Sequence, residues 1–175
     1  MVTGVRSISR PINNALNSER SKLSGAAVEL VTALATGLGS SFEPLVSQFA
    51  PTLLGLCCRS NKVFTSRAKA CILVIVQHTH LPSLLPYLAE LANHKSVSPR
   101  LTAAEGILAC LNCFNPPDLE KETRARTVED FIRLTARDAS ADVRKATKEV
   151  FKAYKALMPH RVERWVDKLS LVCCS

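Results

Sequence analysis

Apolar residues recur at steps of three and four along almost the whole chain, the spacing of one face of an α-helix. The clearest case runs from Val143 to Leu157. Val143, Ala146, Val150, Tyr154 and Leu157 fall on one side, and Arg144, Lys145, Lys148, Lys152 and Lys155 take the rest. Asp138 and Ser140 stand before it as N-cap residues, Asp142 puts an acid in its first turn, and Pro159 follows its end; all four are helix punctuation. The run Ile72 to Val76 is β-branched enough to suggest a strand. It lies inside a longer pattern from Val63 to Thr79 without flanking turn residues, so it predicts a buried helix. No stretch alternates apolar and polar residues between hairpin turns, and the prediction is an all-α fold.

The predicted helices come in pairs: Ile8–Asn17 with Lys22–Leu38, Phe42–Arg59 with Val63–Thr79, Leu81–Asn93 with Ser96–Phe114, and Thr123–Thr135 with Ser140–Leu157. A further helix opens at Arg161 and runs to Leu169. Each pair is joined by a short polar turn. Aligning the second helices sets Gly25, Arg67, Arg100 and Arg144 at one position, and Asn115-Pro116-Pro117-Asp118 lengthens the last link. Two helices in a period of roughly 40 residues predict a HEAT-repeat or armadillo-type α-solenoid, in which neighbouring pairs bury one another's apolar stripes.

Charge sharpens this picture. The chain has 175 residues, 47% of them apolar and only 5% aromatic, and a net charge of +8. Residues 23–58 contain only Glu29 and Glu43 as charged groups, whereas residues 121–175 hold thirteen basic side chains against eight acidic ones. A solenoid lays equivalent turns along one edge. Arg20 and Lys22, Asn61 and Lys62, Lys95 and Arg100, and Arg144 and Lys145 are therefore expected to form a basic ridge suited to a large acidic protein surface.

Other chemistries find little support. The seven cysteines are odd in number, mostly within apolar helical stretches, and follow no secretory signal, which favours reduced thiols in an intracellular compartment over a disulfide framework. Cys110 and Cys113 form a single pair near His78 and His80 without a second cysteine pair, so neither a metal nor any cofactor is expected. The longest apolar run, Ala70 to Val76, is too short to span a membrane. There is no phosphate loop, nucleophile elbow or conspicuous carboxylate pair, so no enzyme is expected. A nucleic-acid binder or a HEAT-like glycosylase would need a basic channel with aromatics and a catalytic acid, and the aromatics here are few.

Several segments resemble one family in order and spacing. Val76-Gln77-His78-Thr79-His80-Leu81-Pro82-Ser83-Leu84-Leu85-Pro86, Lys95-Ser96-Val97-Ser98-Pro99-Arg100 and Asp138-Ala139-Ser140-Ala141-Asp142-Val143-Arg144 are similar to helix junctions in TOG domains of the CLASP family, the cytoplasmic linker-associated proteins. Phe42-Glu43-Pro44-Leu45 and Pro51-Thr52-Leu53-Leu54 resemble that family's third repeat. The resemblance spans about Ile8 to Leu169. It implies a non-enzymatic module that binds tubulin or microtubules through its intra-repeat turns and stabilises microtubules in the cytoplasm and spindle. On that resemblance Lys62 matches a third-repeat lysine, Lys95 a fourth-repeat lysine, Arg100 a fourth-repeat basic position and Arg144 the fifth-repeat arginine, with Arg20 and Lys22 in the second-repeat turn. A complete TOG domain has six repeats. The expected domain, residues 8–170 with tails at 1–7 and 171–175, starts at the second and has no tryptophan near its start. The expectation is a monomeric fragment or part of a larger multidomain protein. The alternative is a general HEAT scaffold for protein partners without tubulin affinity.

Overall fold

The computed structural model describes residues 2–164. In chain order the helices are α1 (Val2–Ser7), α2 (Ser9–Leu16), α3 (Ser21–Leu38), α4 (Glu43–Cys57), α5 (Lys62–Thr79), α6 (Leu84–Glu90), α7 (Val97–Cys113), α8 (Pro116–Leu119), α9 (Glu122–Thr135) and α10 (Ala141–Leu157). Single 3₁₀ turns, Gly39–Phe42 and Leu91–Asn93, precede α4 and follow α6. Residues 159–164 are helical, and no strand occurs among the described residues.

Two layers of helices stack in chain order. One layer runs α2, α4, α6, α9, and the other α3, α5, α7, α10, each helix touching the next in its own layer. Buried side chains from both layers form one continuous core from Val5 to Val162. Within it Phe42 and Phe49 are fully enclosed, their rings 6.4 Å apart. This is the all-α HEAT-type solenoid that the repeat pattern predicts. The stretch Ser21–Cys57 is long and apolar enough by composition to cross a membrane, but it is bent in the middle. Gly39 adopts φ +52°, ψ −131°, open to glycine because it has no Cβ, and the turn leads into α4, which packs on α2 and α5 as the first helix of the next pair.

Three boundaries differ from the sequence expectation. Residues 1–7, expected as a tail, contain α1, which buries Val5 and packs on α4. The Asn115–Asp118 link is itself a helical turn, with Pro116 and Pro117 in its first positions, where a missing N–H costs nothing. The α6 helix starts at Leu84, three residues later than expected, after Pro82. Of the predicted terminal helix, residues 161–164 are helical; Trp165, Leu169 and the tail at 171–175 lie outside the described residues.

The cysteines follow the burial expected of small apolar side chains. Cys57, Cys71 and Cys110 are buried, while Cys58 and Cys113 are half-buried, and all five are free thiols. Burial pushes the Cys57 thiol up to about 12 and the Cys71 thiol to about 11, and raises Cys110 in the same direction. Alkylation of the folded protein at pH 8, read by peptide mass spectrometry, is therefore expected to modify Cys113 well before Cys57, Cys71 or Cys110. Denaturant should abolish that order. Equal native rates at Cys110 and Cys113 would contradict the packing of α7.

Candidate functional site: the edge of intra-repeat turns

Because both layers stack in the same order, the four intra-repeat turns (residues 17–20, 58–61, 94–96 and 136–140) fall along one edge. Side chains tie the first turn to the second and the third to the fourth. Arg59, in the second turn, donates from Nη2 to the Asn17 carbonyl at 3.0 Å, lies 3.3 Å from the Glu19 carboxylate, and caps the Phe64 ring at 4.9 Å. Arg67 Nη1 donates to the Ser21 carbonyl at 2.9 Å. Arg100 donates from Nε and Nη2 to both carboxylate oxygens of Asp138, at 2.7 and 2.9 Å, joining the third turn to the fourth. This is the paired geometry that makes arginine–carboxylate contacts directional.

The N-caps correct the repeat alignment. Counted from Arg20, Asn61, Ser96 and Ser140, Arg100 and Arg144 are both the fourth residue, but Gly25 is the fifth and Arg67 the sixth. Equivalent positions do equivalent work. Arg100 Nη1 donates to the carbonyls of His94 and Lys95, at 2.8 and 3.1 Å. Arg144 Nη1 donates to those of Asp138 and Ala139, at 2.6 and 3.0 Å. In both cases these are the two carbonyls just before the cap. Arg67 reaches the preceding repeat instead, and Gly25 leaves room for it: a Cβ there would collide with the Arg67 guanidinium.

The predicted ridge residues divide into two groups. Arg20, Lys22, Lys62 and Lys95 are exposed and make no salt bridge among the described residues. Lys145 is exposed on the first turns of α10, and its field helps hold Glu149 below the usual carboxylate range after the nearer Lys152 and Lys148. Arg144 is exposed while bracing its turn. Asn61 and Arg100 serve the fold: Asn61 Oδ1 accepts the Val63 N–H at 2.9 Å as an N-cap, and the Arg100 side chain is only 12% exposed. Arg100 holds Asp138 well below the usual carboxylate range, chiefly by hydrogen bonding.

Sequence reading missed the aliphatic component of this edge. Leu23, Val63 and Val97 sit in the first turns of α3, α5 and α7, beside Lys22, Lys62 and Lys95, and are 47%, 46% and 42% exposed. A lysine followed within two residues by an aliphatic side chain at each helix start was the available signal. The edge thus offers cations with apolar contacts between them, a surface able to hold a protein partner.

Away from the turns, a cleft of about 360 Å³ is lined by Glu122, Arg126, Glu129, Asp130, Arg133, Arg161 and Arg164. Its acids are already engaged: Arg161 and Arg126 hydrogen-bond Glu122 and depress its carboxyl to about 2, and Arg133 pairs with Asp130. Among the described residues no group of three or more His, Cys, Asp or Glu could hold a metal ion. His80 lies with Nδ1 2.7 Å from the Cys113 carbonyl, a contact that requires the proton on Nδ1.

A two-layer stack of helix pairs with its intra-repeat turns along one edge defines an α-solenoid of the TOG type. A solved chain of crescerin, a protein that uses a TOG domain array to regulate microtubules in the primary cilium, superposes with a TM-score of 0.67 at 15% identity, covering 89% of this chain and 63% of that one. The CLASP N terminal family model matches residues 1–173, and the chain belongs to that family. Among its relatives, Protein stu-1 of Neurospora crassa is 24% identical over 173 residues, which cover 97% of this chain and 15% of stu-1. The CLIP-associated protein of Arabidopsis thaliana is 26% identical over 155 residues, 88% of this chain and 11% of that protein.

Proposed function

We propose that this chain is a non-catalytic tubulin-binding module that docks on tubulin through the turn edge and stabilises microtubules. The observation that carries the reading is the edge itself: exposed cations recur at four successive turns, of which side chains join the first to the second and the third to the fourth. Family membership and the crescerin fold support the choice of tubulin as the acidic partner. Lys62, Lys95 and Arg144, with Arg20, Lys22 and Lys145 flanking, make the contacts; Arg100 and Asn61 keep the turns in place. Long-range attraction would speed encounter, and Leu23, Val63 and Val97 would add short-range contact. On this reading the chain works as one part of a larger multidomain protein in the cytoplasm, on microtubules and the spindle.

The test is co-elution with soluble tubulin in size-exclusion chromatography. Reversing charge at Lys62, Lys95 and Arg144 together (each to Glu) is expected to remove co-elution, with the circular dichroism spectrum unchanged. Tubulin binding that survives the triple substitution would refute docking through the turns.

A further inference from the structure

A groove of about 380 Å³ opens in the first layer between α9 and the end of α6. The sequence sets it up. Helix α6 has seven residues against fourteen in α9, and it tightens into the 3₁₀ turn Leu91–Asn93, a narrower rod that fills less of the space beside its neighbour. Ala89 and Ala92 put only small side chains on that wall. Opposite them stand Phe131, which is buried, and Leu134, which is 47% exposed. The other large aliphatic side chains left this open sit on the turn edge (Leu23, Val63 and Val97) or in the first helix pair (Ile8 and Leu30). Leu134 is neither, and α6 and α9 already touch, so no further repeat stacks between them.

The rim of the groove is acidic. Glu90, on the α6 side, is exposed and has neither an ion pair nor a hydrogen bond from its side chain among the described residues. Asp130, on the α9 side, holds Arg133 at 2.7 Å in an exposed surface pair, and that arginine lines the neighbouring cleft instead. No lysine or arginine lines the groove, in a chain of net charge +8.

We propose that this groove docks a short basic segment of a partner protein, with one apolar side chain seated on Phe131 and Leu134 and flanking lysines or arginines held by Glu90 and Asp130. Charge complementarity selects the occupant. An acidic surface of the kind that suits the turn edge would meet two carboxylates here and be repelled, whereas a basic segment is repelled along the turn edge and drawn to this rim. A single apolar anchor ringed by polar contacts also concentrates binding energy in a few residues. The Asn93 side chain, exposed and without a hydrogen bond among the described residues, is placed to pair with the main chain of the segment. The groove shares no residue with the turn edge, and the two surfaces are able to act independently.

Fluorescence anisotropy of the full chain with a labelled Lys-Lys-Leu-Lys-Lys peptide is expected to show saturable binding. Leu134→Ser should weaken it by about tenfold or more, the loss that goes with unburying one aliphatic side chain. Glu90→Gln should weaken it and flatten its salt dependence. Glu43→Gln, at an exposed acid of α4 outside the groove, should change neither, and all three variants should keep the parent's circular dichroism spectrum. Peptides with serine in place of the leucine, or glutamates in place of the lysines, should bind more weakly. The proposal is overturned by a parent chain that does not bind at its highest soluble concentration, by binding that either Leu134→Ser or Glu90→Gln leaves intact, or by a serine or glutamate peptide that binds as tightly as the first.

Discussion

Replacing Asp138 by alanine is expected to lower stability by about 3 kcal/mol, the scale for removing one partner of a largely buried ion pair. The Asp138 and Arg100 side chains are 8% and 12% exposed. Without the carboxylate, Arg100 keeps its contacts to His94 and Lys95 but loses both bonds from Nε and Nη2. The same substitution removes the acceptor for the Ser140 N–H, 2.8 Å from Asp138 Oδ1, where the chain enters α10. Asp138→Asn retains an acceptor there and should cost less. Asp142→Ala, at an exposed first-turn acid, should cost only about 0.5 kcal/mol through the helix dipole. The measurement is urea unfolding followed by circular dichroism; if Asp138→Ala and Asp142→Ala come out equal, the Arg100 pair does not hold the turns together. The pH dependence has a definite sign. Asp138 has a folded pKa below its unfolded one, so its contribution is complete above the ordinary aspartate range and disappears as pH falls through the depressed value. The alanine variant should therefore lose less stability on acidification below pH ~4 than the parent.

Local periodicity carried most of the fold but not the pairings across repeats. The face read for α10 is the one observed, with Val143, Val150 and Tyr154 buried and Lys145, Lys148, Lys152 and Lys155 exposed. Helix α1 escaped because six residues hold too little periodicity to register. Arg100 looked like an exposed ridge cation because its partner lies 38 residues away, and no local pattern reports such a contact. Gly25 and Arg67 fall out of register because the N-caps Arg20 and Asn61 start their helices five and six residues earlier, an offset that repeat spacing does not reveal. The ridge cations other than Arg100 were legible because a solenoid fixes the side on which its turns lie. Glu129 left a signal that went unread. It shares the helical face of Ala125, Val128 and Ile132, all buried, so an acid appears there in an otherwise apolar stripe and demands a partner.

That acid sets the second large effect: Glu129→Ala is expected to cost about 3–5 kcal/mol. Glu129 Oε1 accepts the Tyr154 hydroxyl at 2.6 Å and Arg161 Nε at 2.8 Å, and Arg161 Nη1 reaches Glu122 at 2.7 Å. The network thus joins α9, α10 and residues 159–164, with Tyr154 fully buried and the Glu129 and Arg161 side chains 9% and 11% exposed. Removing the carboxylate takes away the group that compensates Arg161's desolvation at this site. The expected readouts are a lower urea midpoint and faster amide hydrogen exchange across residues 159–164; a loss below about 1 kcal/mol would mean the network is not what docks that segment. Arg161→Met isolates the electrostatic part. It leaves the Glu129 carboxylate with the Tyr154 hydroxyl but without its countercharge, and should cost about as much as Glu129→Ala, because a largely buried charge then has no partner. A penalty for Arg161→Met under about 1 kcal/mol would show that the arginine acts by packing alone.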